Sequence, residues 1–302
     1  MHQENAFFTE QNRTAARQQR WEAFCESGSV AAYLHYRRSA TPRRELPMQT
    51  HLTVKGLVIR ETAYGETGVI FDLLTDSGIR TVSAQGIRKA GSKYAAVVQI
   101  FTYGEFCLRQ SSGRYYLDSA AAINQFYALR TELESLALAS YFSELIRLTE
   151  TDQPQPELLR LFLLSLFHLT DEKQRRPRAQ VKAVFELRLI TELGYAPNLL
   201  CCMNCLTYLP EEPVLRIAES DMICMNCAEA LSETDIPVTK AALLAARNAV
   251  YADYEKLFAF RVSGESLQQF ADYAERCLTR RIGYPLPTLK YYHALADMLP
   301  AT

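Results

Sequence analysis

The apolar positions of this chain change their period along its length. Between Met48 and Tyr127 they recur every second residue or in short blocks. Leu52, Val54 and Val58 set against Leu57 and Ile59 predict a strand that bends or bulges at Gly56. Val69 to Leu74 is a nearly continuous apolar strand that ends in the turn Thr75-Asp76-Ser77-Gly78, and Ile79 to Ala84 is a third, closed by Gln85-Gly86. Tyr103 to Arg109 is a fourth, and Ser111-Ser112-Gly113 makes a hairpin into a fifth, Arg114 to Leu117. Five short strands with glycine corners fit an OB-type β-barrel, and an SH3-like barrel fits almost as well.

From residue 128 the spacing lengthens to three and four. Leu133, Leu136, Ala137, Tyr141, Leu145 and Leu148 mark one face of an amphipathic helix, with a break from Asp152 to Pro156. Leu158 to Leu169 is almost wholly apolar and predicts a central, buried helix, with His168 as a structural residue at its end. A basic link holding Lys173, Arg175, Arg176 and Arg178 follows; such links are usually solvated. A third helix starts at Val181 and stops at Gly194, with Arg188 burying its stem and pairing with a carboxylate. Val238 to Tyr254 and Glu265 to Arg281 predict two more, the last ending in cations where a helix C-terminus favours them. The first 47 residues carry no clear apolar stripe. They are expected to be a disordered extension, with Met48 as the functional start.

The pattern is interrupted between residues 201 and 238, and there the chemistry is most specific. Cys202-x-x-Cys205 and Cys224-x-x-Cys227 are two thiolate pairs at roughly zinc-ribbon separation. Two such turns supply the four soft ligands of a closed, structural Zn²⁺ site, with Cys201 as a spare. Four thiolates leave no open position for water, so a metal-dependent hydrolase is disfavoured. Disulfides would need an oxidising compartment, and no secretory pattern marks the N-terminus. The expected organisation is α+β: an extension at 1–47, a barrel at 48–127, a helical domain at 128–200 and 239–302, and a zinc module at 201–238.

The net charge of −1 predicts no nucleic acid by itself. Its distribution is more informative. The stretch 201–238 has an excess of six acidic residues, which suits no phosphate, whereas 48–127 has an excess of two cations. Gly86-Ile87-Arg88-Lys89-Ala90-Gly91-Ser92-Lys93-Tyr94 gathers three cations, two glycines and a tyrosine in one connection. Cations give salt-dependent phosphate contacts and an aromatic can stack on an unpaired base, although such a run can equally be an ordinary solvated loop. On this reading Arg88, Lys89 and Lys93 are the leading DNA-binding candidates, with Lys55, Arg80 and Arg114 behind them. The histidines are His2, His35, His51, His168 and His293, none with ligand spacing to another. No phosphate-binding loop, nucleophile elbow or His-Glu-x-x-His helix is present, so no enzyme is expected.

Several of these stretches also resemble a known family. Tyr64-Gly65-Glu66-Thr67, Ile70-Phe71-Asp72-Leu73-Leu74-Thr75, Gly86-Ile87-Arg88-Lys89 and Gln99-Ile100-Phe101-Thr102-Tyr103-Gly104-Glu105-Phe106 resemble the N-terminal OB domain of the bacterial RecO family. Gly194-Tyr195-Ala196-Pro197-Asn198-Leu199 resembles that family's entry to its four-cysteine module. The likeness runs from Met48 to about His293. One departure is Ser220-Asp221, where many members have a glycine pair, which puts the local turn in doubt. The resemblance implies a non-catalytic mediator of DNA repair and recombination in the bacterial cytoplasm, associated with the nucleoid. Such a protein would bind single- and double-stranded DNA and anneal complementary strands. With RecR it would help load RecA on strands coated by single-strand-binding protein, whose C-terminal tail it would hold. The alternative is a zinc-containing protein-interaction scaffold without direct DNA contact.

Overall fold

The computed structural model describes residues 50–149 and 154–298, together with Gln19; the expectations for 1–47 and for Asp152 lie outside these residues. Among the described residues no helix is long and apolar enough to cross a membrane.

Five strands, β1 Thr50–Tyr64, β2 Gly68–Thr75, β3 Gly78–Ala84, β4 Tyr103–Ser111 and β5 Arg114–Asn124, close into a barrel of order β1-β2-β3-β5-β4. β3 and β5 run parallel, while β1–β2, β2–β3 and β4–β5 are antiparallel. The register of β1 slips between Val58 and Arg60, so the bulge falls at Ile59 and not at Gly56. Gly56 answers a different need. A Cβ there would sit 2.7 Å from Leu73 Cγ and from the Leu74 carbonyl oxygen, so the strands can approach only without one. At the β4–β5 hairpin Ser112 and Gly113 both have positive φ, 50° and 76°, the two-residue turn whose twist matches the flanking strands.

β2 and the 56–59 stretch of β1 are buried on both faces, which explains their nearly continuous apolar sequence, while the two ends of β1 are largely exposed. Val58, Phe71, Leu73, Val82, Phe106 and Leu108 fill the barrel, and Ile87, Val97 and Val98 of the β3–β4 connection plug it. Leu57, Ile59, Leu74 and Phe101 face outward into a core shared with the helices, where Phe101 meets Phe162 edge-on at 6.3 Å. At the rim of this contact Asp72 of β2 lies 3.5 Å from Arg60 and 3.7 Å from Arg147, and accepts a 2.8 Å hydrogen bond from Thr81.

The helices are α1 Ala128–Thr131, α2 Leu133–Leu148, α3 Pro156–Thr170, α4 Arg178–Glu192, α5 Lys240–Tyr251, α6 Gly264–Ile282 and α7 Pro287–Met298. α5 is shorter than its apolar pattern predicts. The Thr239 side chain caps its start by accepting the Ala242 N–H, and Tyr254–Lys256 forms a separate 3₁₀ turn. The sequence reading did not assign α7 as a helix. It opens on Pro287, buries Leu289, Tyr292 and Leu295, and is tied to α2 where the Thr288 hydroxyl donates to Glu144. Phe142 of α2 and Phe185 of α4 stack at 3.9 Å at the centre of the bundle. A three-stranded sheet of order β7-β6-β8, from β6 Pro213–Arg216, β7 Asp221–Cys224 and β8 Asp235–Pro237, is inserted between α4 and α5.

The arginines of the basic link are not free. Arg175 and Arg178 pair with Glu132, Arg178 also with Glu134, and Arg176 donates twice to the Phe258 carbonyl. Arg188 buries its stem and pairs with Glu192 at 2.7 Å, as its position on an apolar face predicts. His168 packs on Phe258, and burial holds it below the usual histidine range.

One ionic cluster lies deep in the bundle. Lys182 of α4 contacts Glu186 at 2.7 Å and Glu275 of α6 at 2.6 Å, and Tyr141 of α2 donates to Glu186 at 2.7 Å. Three helices therefore share one buried cation. Lys182→Ala leaves Glu186 as an uncompensated buried charge and is expected to cost about 3–5 kcal/mol in urea unfolding. Lys182→Met combined with Glu186→Gln should recover most of that loss.

Candidate metal centre and nucleic-acid interface

The candidate metal centre is built from two tight turns. After Leu199 the chain folds back so that Leu206 N–H donates to the Cys202 carbonyl and Cys202 N–H to the Thr207 carbonyl, with Leu206 in the left-handed region at φ 61°. This places Cys202 and Cys205 on one side. β6–β7 pairing sets Cys224 opposite Pro213, and a 3₁₀ turn, Met225–Cys227, brings Cys227 round. The sulfurs of Cys202, Cys205, Cys224 and Cys227 all lie within 4.8 Å of one another, and Cys201 is outside the group. Cys224 Sγ is 3.8 Å from that of Cys202 and 3.7 Å from that of Cys205. Four sulfurs ~2.3 Å from a tetrahedral ion would be about 3.8 Å apart, so the set fits Zn²⁺ as it stands.

The electrostatics agree with that donor set. Burial raises the Cys202 thiol, but the N–H groups of Cys205, Asn204 and Cys224 outweigh it and hold the thiol below its usual range. The Thr207 hydroxyl and N–H bring Cys205 down to about 6. Cys227 is pushed up to about 12, chiefly by its neighbours Cys224 and Cys205. The two acidified thiols thus hold protons on the other pair, and a bound cation would relieve that repulsion.

The turn at Ser220-Asp221 forms without a glycine. Ser220 takes the left-handed conformation at φ 59°, its carbonyl accepts the Asn198 N–H, and its hydroxyl accepts from Arg281 at 2.8 Å. Asp221 is held by both arms of Arg216, each at 2.7 Å.

The sequence reading missed what fastens the module to the helices. Arg247 of α5, buried, donates to the carbonyls of Leu199 and Leu200 at 2.6 and 3.0 Å and to that of Tyr208, whose ring it faces. Tyr251, one turn on, accepts the Leu199 N–H and donates to the Pro197 carbonyl. The available signal was a lone arginine in the apolar run Ala241 to Val250. Arg247→Ala strips three carbonyls of their donor. It should destabilise the chain by about 3 kcal/mol in denaturant unfolding, with Arg247→Lys recovering only part.

The candidate nucleic-acid residues fall into two groups. Arg88, Lys89 and Lys93 are exposed on the β3–β4 connection, whose backbone is pinned where Arg88 N–H donates to the Thr67 carbonyl of the β1–β2 loop. Lys93 lies 4.8 Å from the centre of the Tyr94 ring. Lys55, Arg80 and Arg114 sit at the other end of the barrel, near the β2–β3 and β4–β5 turns. The ends of β3 are ~20 Å apart at strand rise. Among the described residues Arg88, Lys89, Lys93, Lys55 and Arg114 have no ion-pair partner within 4 Å. Arg80 is different: half-buried, it donates to the Tyr115 hydroxyl and faces that ring, so its charge is already engaged. Between the two ends the outer wall presents Ser83 paired with Tyr116, and Arg109 over the Tyr116 ring at 5.0 Å. The sequence reading did not select Arg109 or Tyr116; only β-pairing brings them together.

Comparison with known proteins supports both parts of the chain. A family profile described as Recombination protein O N terminal matches residues 48–126, and one described as Recombination protein O C terminal matches residues 130–290. The chain is 29% identical to the DNA repair protein RecO of Acetivibrio thermocellus over 77% of its own length and 92% of the relative's. It is 28% identical to that of Bacillus pumilus over 81% and 94%, and 31% identical to that of Bacillus subtilis over 58% and 68%. From the barrel to the last helices, this chain belongs to the recombination protein O family.

Proposed function

We propose that this protein is a non-catalytic mediator of DNA repair and recombination, acting in the bacterial cytoplasm at the nucleoid. It binds single- and double-stranded DNA on the barrel and anneals complementary strands. The observation that carries this reading is the exposed trio Arg88, Lys89 and Lys93, without ion-pair partners among the described residues, on a closed five-stranded barrel. Family membership and the relatives' name, DNA repair protein RecO, support it. Phosphates neutralise such cations and release counterions, and Tyr94 and Tyr116 offer faces for unpaired bases.

The proposed partners are RecR, RecA indirectly, and the C-terminal tail of single-strand-binding protein. For an acidic tail with an apolar end, the best seat is the cavity of about 450 Å³ beside α5 and α6, lined by Leu244, Phe260, Val262 and the cation Arg261. Cys202, Cys205, Cys224 and Cys227 hold one structural Zn²⁺, which braces the inserted module and has no open position for chemistry.

A second reading, a protein-interaction scaffold without DNA contact, draws on the acidic module and on Leu200, Met203, Leu206 and Tyr208, which are exposed around the metal turns. Fluorescence anisotropy with a labelled single strand separates the two. The DNA reading predicts binding that weakens steeply between low and moderate salt. Replacing Arg88, Lys89 and Lys93 together by Ala should weaken it roughly tenfold or more and flatten the salt slope. Affinity that ignores salt and the triple substitution would leave the scaffold reading. For the metal, Cys202→Ser with Cys205→Ser should lower the zinc content by one ion per chain. Acid should release that ion, because protons compete for the thiolates.

A further inference from the structure

We infer that His51, Cys107 and Asp118 form a second metal site, for a divalent ion of zinc's class, on the outer wall of the barrel. Their ligand atoms lie within 4.8 Å of one another. The three come from three strands: His51 from β1, Cys107 from β4 and Asp118 from β5. No spacing rule could have joined them.

The backbone is shaped to bring them together. β4 and β5 pair Leu108 with Leu117 but Cys107 with Ser119, so Asp118 is an extra residue with no partner across the ladder. A bulge of this kind re-aims a side chain, and here it turns Asp118 toward β1. His51 Nδ1 then lies 3.0 Å from Asp118 Oδ2. A nitrogen and an oxygen each ~2.0–2.1 Å from a tetrahedral ion would be about 3.3 Å apart, so this edge of the polyhedron is nearly formed. Cys107 Sγ lies within 4.8 Å of both of these atoms.

The donor set is imidazole, thiolate and carboxylate, the types zinc takes where it keeps a fourth position for water. His51 and Asp118 are 59% and 32% exposed, so an ion has a path to them. Arg109 stands 3.5 Å from Asp118 Oδ1 and faces Tyr116. It fixes the carboxylate from behind and leaves Oδ2 for the ion. Its charge also opposes a second cation, so this site binds more weakly than the four-thiolate centre.

The test is the metal content of the full chain after zinc loading and dialysis at neutral pH. Wild type should hold one more zinc per chain than Cys107→Ser or Asp118→Asn, and His51→Ala should weaken the second ion at least roughly tenfold. Cobalt added to the chain loaded with a single equivalent of zinc, which fills the tighter four-thiolate centre first, should produce a thiolate-to-metal charge-transfer band, with about one quarter of a four-thiolate site's intensity. That band should be absent in Cys107→Ser. Unfolding midpoints of the three variants, measured beside the metal content, identify any loss of fold; Asp118→Asn, nearly isosteric, keeps the test decisive if another variant is unstable. Equal zinc content in wild type and variants, or a cobalt band that survives Cys107→Ser, would show only a His–Asp ion pair and overturn the site.

Discussion

The arrangement depends on β2 and the 56–59 stretch of β1 being buried on both faces. Val58 and Leu73 point into the barrel, while their neighbours Leu57, Ile59 and Leu74 enter the helical core. That leaves the outer wall of β3, β5 and β4, the ends of β1 and the 88–93 part of the β3–β4 connection facing water. Lysine and arginine heads can stay hydrated there. Packing therefore decides which side of the barrel is available to a charged partner, before any particular cation is considered.

The inserted module follows a different logic. Its three short strands have a small core of their own, with Cys202, Val214, Ile223 and Cys224 at the centre. So little apolar area cannot hold a sheet alone, and thiolate–metal bonds are the usual substitute. The other face of the sheet, with Leu215, Met222 and Ile236, joins the core of the helices, and a buried guanidinium on α5 adds a polar attachment that gathers three carbonyl groups. A carbonyl cluster satisfied by one arginine fixes direction as well as distance, because the planar fork admits few geometries.

Much of this was legible in the sequence. The strands of the barrel, the helices from Leu133 and Leu158, and the grouping of Cys202, Cys205, Cys224 and Cys227 follow from local periodicity and spacing. What escaped depends on contacts between distant residues. Gly56 looked like a bulge because a glycine in a strand can mean either a bulge or close approach, and only the neighbouring strand, through Leu73, distinguishes them. α7 went unassigned because two prolines, Pro285 and Pro287, stand at its start, although a proline in the first turn is compatible with a helix. The arginines of the basic link looked free because their partners, Glu132, Glu134 and the Phe258 carbonyl, are more than forty residues away. The histidine at residue 51 had no ligand spacing in sequence, yet strand pairing places a thiol and a carboxylate beside it.

The central proposal is that nucleic acid is held by the exposed cations of the β3–β4 connection while the four-cysteine module stays apart from it. Amide hydrogen exchange with and without a single-stranded oligonucleotide tests this most directly. The account predicts slowed exchange across residues 86–98 and unchanged exchange across 201–228. Protection confined to the cysteine module or to the helices, with the connection exchanging as in the free protein, would contradict it.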